Sequence, residues 1–168
     1  MTISALKASD LSSPSLLWAS GFGLGFLPRA PGTWGSLGAL LVWWFVIADL
    51  NPLTQLVIIA TYFGISWWAC QRVCELFAVD DAGEVVADEV LGMWVALFAL
   101  PQFWWIAILG FVTFRFLDIR KPWLIGRLDR ELKGGLGIIV DDLVAGALTC
   151  LGIWALVIIF RALSINVL

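Results

Sequence analysis

The stretch VLGMWVALFALPQFWWIAILGFVTF, Val90–Phe114, decides how this chain folds, because its 25 residues carry no charge. Read as one helix, it exceeds the ~20 residues that a membrane crossing needs and puts its two flanks on opposite sides. Pro101-Gln102 stands near its middle, and proline restricts the residue before it while favouring a helix start. We therefore read a hairpin, with short helices over about Glu84–Leu100 and Phe103–Leu117. Charged residues close both helices at the same end.

Three further charge-free runs have near-spanning length: Ala30–Ala48, Leu50–Gln71 and Leu143–Phe160. Asn51-Pro52 separates the first two as a tight turn. The composition agrees with a bilayer: 61% of the 168 residues are hydrophobic and 14% are charged, against about 25% charged in soluble domains. Mean hydropathy is +0.97. The expectation is an all-α integral membrane bundle of about five short spans, forming one domain over residues 1–168. A polar leader (1–15) without periodicity or signal-peptide pattern precedes a bundle over 16–160. Trp104 and Trp105 suit the far aromatic belt, and Trp34, Trp67, Trp68 and Trp123 the near one. Internal repeats are not evident.

This topology gathers three polar clusters at one end. Upstream of the hairpin, VDDAGEVVADEVLG (Val79–Gly92) packs Asp80, Asp81, Glu84, Asp88 and Glu89 together. Acids favour a helix N-terminus, which accounts for Asp80 and Glu84. It accounts poorly for Asp88 and Glu89, which stand directly against the apolar run. Downstream, FRFLDIRKPWLIGRLDRELKGGLGIIVDDLVAG (Phe114–Gly146) begins with Arg115 and Asp118, three apart on one helix face. Lys121 follows, and Gly134, Gly135 and Gly137 make a flexible stretch before Asp141-Asp142, which open the last span. One of that pair suffices for an N-cap, so the second needs another explanation. Arg127, Arg130 and Lys133 read as cytoplasmic positive-inside anchors. The third cluster, GFGLGFLPRAPGTWGSLG (Gly21–Gly38), contains Arg29 and runs into a helix that Thr33 or Ser36 could cap. Gly21, Gly23 and Gly25 suit close packing. Backbone donors around Gly32–Ser36 suit an anion.

The chain has no histidine, which excludes phosphohistidine enzymes and every His-containing metal site. Oxygen ligands remain, and these suit magnesium, calcium or manganese. Cys70, Cys74 and Cys150 lie in or beside apolar runs and read as buried thiols. Carboxylates holding a hard cation beside Arg and Lys are what phosphoryl chemistry requires. Asp88, Glu89, Asp118, Asp141 and Asp142 are the candidate metal-ligating and catalytic residues, with Asp81 a second-rank metal ligand. Arg115 and Lys121 are the candidate phosphate grips, helped by Gly32, Thr33, Ser36 and Arg29. A substrate at this depth is amphiphilic, with its phosphate at the interface and its tails in lipid.

Four segments, GFGLGFLPRAPGTWGSL, DAGEVVADEVLGMW, FRFLDIRKPW and GGLGIIVDDLVAG, resemble in order the motifs of the phosphatidylglycerophosphatase A family. The resemblance implies an Mg²⁺-dependent phosphomonoesterase of the bacterial inner membrane, multi-pass, with its active site facing the cytoplasm. Its substrate would be phosphatidylglycerophosphate; membrane lipids are the other partners, and no nucleic acid is expected. The resemblance also puts Asp81, Asp88, Glu89, Arg115, Asp118, Lys121, Asp141 and Asp142 at motif positions. The family commonly reads KPWPI where this chain has Lys121-Pro122-Trp123-Leu124-Ile125, a change in backbone stiffness that touches no ligand.

Rival phosphatase classes fail on residues. DxDx[TV] is absent, no Cys-x5-Arg loop exists, and the DG-x2-AR…G…D…D pattern of CDP-alcohol phosphotransferases does not occur. The alternative from another class is a small ion or metal transporter using interfacial carboxylates.

Overall fold

The computed structural model describes residues 6–79, 82–122 and 124–163, and these are helical, with no strand among them. A 3₁₀ turn (Ala8–Ser12) leads into α1 (Pro14–Ala19), and a second one (Leu24–Phe26) follows. α2 (Pro31–Val42) runs on through a π-helical turn, Trp43–Ile47. α3 spans Pro52–Phe77, α4 Ala87–Ala96, α5 Trp104–Arg120, α6 Leu124–Glu131 and α7 Gly134–Ala162. α3 and α7, at 26 and 29 residues, are long and apolar enough to cross a membrane.

The chain leaves helical geometry on either side of Pro101, with Ala99 in the left-handed region at φ 54°. α4 is shorter than the expected Glu84–Leu100 helix. Gly83 and Glu84 form a turn, and ten helical residues reach only about 15 Å. α5 ends at Arg120, where Lys121 takes a left-handed φ of 42°. Two segments to which the sequence assigns no helix contain one. The leader contains the Ala8–Ser12 turn and the start of α1, which Pro14 opens at its first position. The basic segment contains α6, whose Ile125 is fully buried while Arg127 and Glu131 stay exposed.

A third difference matters for the site. α7 begins at Gly134, with Lys133 at its N-cap, so Asp141 and Asp142 lie about two turns inside the helix rather than opening it. Gly135 sits so close to α3 that a Cβ there would lie 2.7 Å from the Cα of Gln71. Gln71 Oε1 accepts the Gly135 N–H at 3.0 Å. That contact with α3 starts the helix early.

α4 is the axis of the bundle. Ala87, Val90, Leu91, Gly92, Met93, Trp94 and Ala96 are all buried, against α2, α3, α5 and α7. The starts of α2, α4 and α7 and the ends of α3 and α5 meet at one end of the molecule. At the other end, Asn51 caps α3 by accepting the Thr54 N–H at 3.0 Å. There the buried Gln55 ties the α2–α3 turn to the α4–α5 turn. Its Nε2 donates to the carbonyls of Ile47, Ala48 and Leu50, at 3.4, 3.2 and 3.0 Å, and its Oε1 accepts the Ala99 N–H at 2.9 Å.

Candidate active site

Two helices carry the same short pattern, an aspartate one turn before a glycine: Asp88…Gly92 on α4 and Asp142…Gly146 on α7. The helices cross at the glycines. A Cβ on Gly92 would lie 2.8 Å from the Asp142 carbonyl oxygen and 2.5 Å from the Phe114 ring. A Cβ on Gly146 would strike the Gly92 carbonyl oxygen. Among lipid tails, close packing of this kind replaces the hydrophobic drive that helices have in water. Because each Asp is one turn above its glycine, the crossing delivers Asp88 and Asp142 to one place. Carboxylate oxygens of Asp88, Glu89 and Asp142 come within 4.8 Å of one another.

α5 supplies the cations. Phe114, which covers Gly92, is followed by Arg115, whose Nη1 pairs with Asp118 Oδ2 at 2.5 Å and approaches Glu89 Oε1 at 3.6 Å. Nη1 also donates to Ser36 Oγ at 3.3 Å, and Ser36 Oγ donates to the Gly32 carbonyl at 2.8 Å. Gly32 allows this because a Cβ there would collide with Glu89 Oε1. Lys121, held by the left-handed end of α5, pairs through Nζ with Asp141 Oδ2 at 2.6 Å.

These side chains form one wall of a cavity of about 270 Å³. Asp88, Glu89, Arg115, Asp118, Lys121, Asp141 and Asp142 are its polar side, and Ala30–Gly32, Ala82, Gly83, Val85 and Ile138 its apolar side. Five carboxylates thus face two cations. Asp88 Oδ1, Glu89 Oε2 and Asp142 Oδ2 are buried with no hydrogen-bond partner, and so is the Nε donor of Arg115. Buried polar groups are otherwise almost always paired, so orphans of this kind need an explanation.

The donor set fits a hard divalent cation. All the ligand atoms are oxygens, three of them are orphaned, and the excess charge is negative. Asp88, Glu89 and Asp142 would hold such an ion.

Of the residues singled out from the sequence, Asp88, Glu89, Arg115, Asp118, Lys121, Asp141, Asp142 and Gly32 line this cavity, and Ser36 touches it through Arg115. Thr33 and Arg29 do not line it, and Arg29 is exposed. Neither Thr33 nor Ser36 caps α2: its N-cap is Ala30, in the left-handed region, with Pro31 at the first helical position. Asp80, Asp81 and Trp123 lie outside the described residues. Sequence reading missed Gly146 as a partner of Gly92; the repeated Asp-x3-Gly spacing was the signal. The charged residues classed as buried among the described residues, Asp118, Asp141 and Asp142, all line this one cavity. No polar track leads from it through the bundle among those residues, which leaves the transporter reading without support.

The sequence model of the family described as Phosphatidylglycerophosphatase A matches residues 17–157. The Phosphatidylglycerophosphatase A of Escherichia coli (strain K12) is 42% identical over 141 residues, covering 83% of this chain and 81% of that protein. The Phosphatidylglycerophosphatase A of Haemophilus influenzae is 36% identical over 156 residues, 92% of each chain. A putative phosphatidylinositol-3-phosphatase of Bacteroides thetaiotaomicron is 37% identical over 141 residues, 78% of this chain and 86% of that one. No solved structure gives a significant match.

Proposed function

The chain belongs to the phosphatidylglycerophosphatase A family, and from that membership and the cavity we propose how it acts on a lipid phosphate. It is a phosphatase that hydrolyses the terminal phosphomonoester of phosphatidylglycerophosphate, giving phosphatidylglycerol and phosphate. The reading rests on one observation above all. Orphaned acceptors (on Asp88, Glu89 and Asp142) and an orphaned donor (Arg115 Nε) belong to residues that line the same cavity. A bare cation would satisfy only the acceptors, and a bare phosphate only the donor. A phosphate bound together with a divalent cation satisfies both.

Mg²⁺ is the cation we assign, held by Asp88, Glu89 and Asp142; when bound it neutralises phosphate oxygens and polarises the phosphorus toward attack. Arg115 offers Nε to a phosphate oxygen while Asp118, Ser36 and Glu89 fix its guanidinium. Lys121, held against Asp141, offers the second positive charge. Water adds to phosphorus, the P–O bond to the glycerol breaks, and the glycerol oxygen takes up a proton. Asp118 and Asp141, each beside a cation, are the groups we assign to take the proton of the attacking water. The apolar side of the cavity accommodates the carbon skeleton of the head group and limits competing water.

We further infer that α2, α3, α4, α5 and α7 all lie in the inner membrane as about five short spans, the α4–α5 hairpin being the shortest. The site end faces the cytoplasm. Arg120, Lys121, Arg127 and Lys133 gather there, while Asp49 and Arg161 mark the other end. Exposed Trp34, Trp67 and Trp68 suit one interface and exposed Trp104 the other.

The test is phosphate release from phosphatidylglycerophosphate in mixed micelles by purified protein. Release that needs Mg²⁺ and is lost in Asp88→Asn is expected. No release from wild type, or equal release from the variant, would end this reading.

A further inference from the structure

We propose that the glycine-rich segment Gly21–Gly35 is a socket for Val86, and that this socket sets where Asp88 and Glu89 stand. The idea rests on the phosphatase reading above and concerns a motif that the chemistry itself leaves unused. Val86 is fully buried immediately before α4. Its N–H donates to the Ala19 carbonyl, at the end of α1, at 2.8 Å.

Two glycines close around it, and a third closes on Glu84 two residues earlier. A Cβ on Gly21 would lie 3.0 Å from Val86 Cγ2, and one on Gly35, in α2, 2.8 Å from Val86 Cβ. A Cβ on Gly25 would strike the backbone carbonyl of Glu84, two residues earlier. The start of α4 has no side-chain cap, and these contacts pack directly against it. Val86 is two residues from Asp88 and three from Glu89, within the same turn. The Gly92–Gly146 crossing anchors α4 one turn further on, so a displaced Val86 tilts the first turn of α4 and shifts both carboxylates relative to Asp142.

The socket thus acts through position and touches no substrate atom. Such supporting contacts typically change metal affinity about 10- to 100-fold when lost. Glycines that meet nothing supply the control: Gly152 in α7 has no atom within 4 Å of its would-be Cβ.

The experiment is titration of Mg²⁺ into purified protein, reading the concentration that gives half the maximal thermal shift, together with kcat and KM. Gly35→Ala should raise that concentration about tenfold or more and lower kcat with little change in KM, while Gly152→Ala matches wild type. In the Gly35→Ala/Val86→Ala double variant part of the loss should return, because the new methyl can move into the space of the missing γ-carbons. Should Gly35→Ala not fold, Val86→Ala alone should shift the Mg²⁺ midpoint in the same direction. The proposal is overturned if either single variant melts lower yet keeps its Mg²⁺ midpoint and kcat within about twofold of wild type, or if the double variant is additive. Asp142→Asn separates the two levels. A wild-type Mg²⁺ midpoint there would sink the metal site itself, whatever the socket does.

Discussion

The two ends of the bundle bury polar groups in opposite ways. At the far end, Gln55 is only 3% exposed, and both its amide nitrogen and its oxygen are bonded to backbone groups of two turns. At the site end, Asp142 is 2% exposed, yet its Oδ2 has no hydrogen-bond partner, and the same holds for Asp88 Oδ1, Glu89 Oε2 and Arg115 Nε. An amide that the protein satisfies by itself closes the fold. Acids and a donor that the protein leaves unsatisfied cost stability, and they are retained where a ligand completes them.

The sharpest way to break this contrast is to neutralise one end at a time. Asp88→Asn or Asp142→Asn should lower kcat roughly 10³-fold and raise the melting temperature in EDTA, because a crowded negative charge is gone. Phosphate release and melting curves on the same preparations check both halves; a loss of activity with a lower apo melting temperature would mean that the carboxylates are structural. Gln55→Leu should do the reverse. It strands the carbonyls of the α2–α3 turn and the Ala99 N–H, at a cost of about 2–4 kcal/mol, while kcat/KM per folded molecule stays near wild type.

Acidity sharpens the comparison further, since Gln55 does not titrate. Carboxylates hold a divalent cation only in their deprotonated form. Protons on Asp88, Glu89 and Asp142 therefore compete with the ion, so binding should tighten with rising pH and release protons. Calorimetric titrations in buffers of different ionisation enthalpy, between about pH 5 and 8, measure that release, and Gln55→Leu should leave it unchanged. The smallest effect is expected outside the cavity. Thr33→Ala and Arg29→Ala should each change kcat/KM by less than about threefold, within the scatter of surface substitutions. A larger loss in phosphatase assays would extend the site beyond its described walls.

Much of this was legible in the sequence because it is local. The break near Pro101, the Arg115–Asp118 pair three residues apart, and the acids pressed against Val90 all follow from spacing and residue type. What was hidden depends on contacts between distant segments. Glycines at 134–137 read as a flexible lead-in to Asp141-Asp142, yet they are helical because α3 lies against Gly135 and because Gly137 fits the Leu132 carbonyl. The start of α2 read as a Thr or Ser cap, but Ala30 and Pro31 set it, leaving Ser36 free to bond back to Gly32 and hold Arg115. The role of Gly146 required knowing that α4 and α7 cross there.

The central claim is that the unsatisfied carboxylates hold a divalent cation. Calorimetric titration of Mn²⁺ or Mg²⁺ into the purified protein tests it most directly. The account predicts a saturable site in wild type and Gln55→Leu that disappears in Asp88→Asn and in Asp142→Asn. Equal binding in all four proteins, or no binding in wild type, would contradict it.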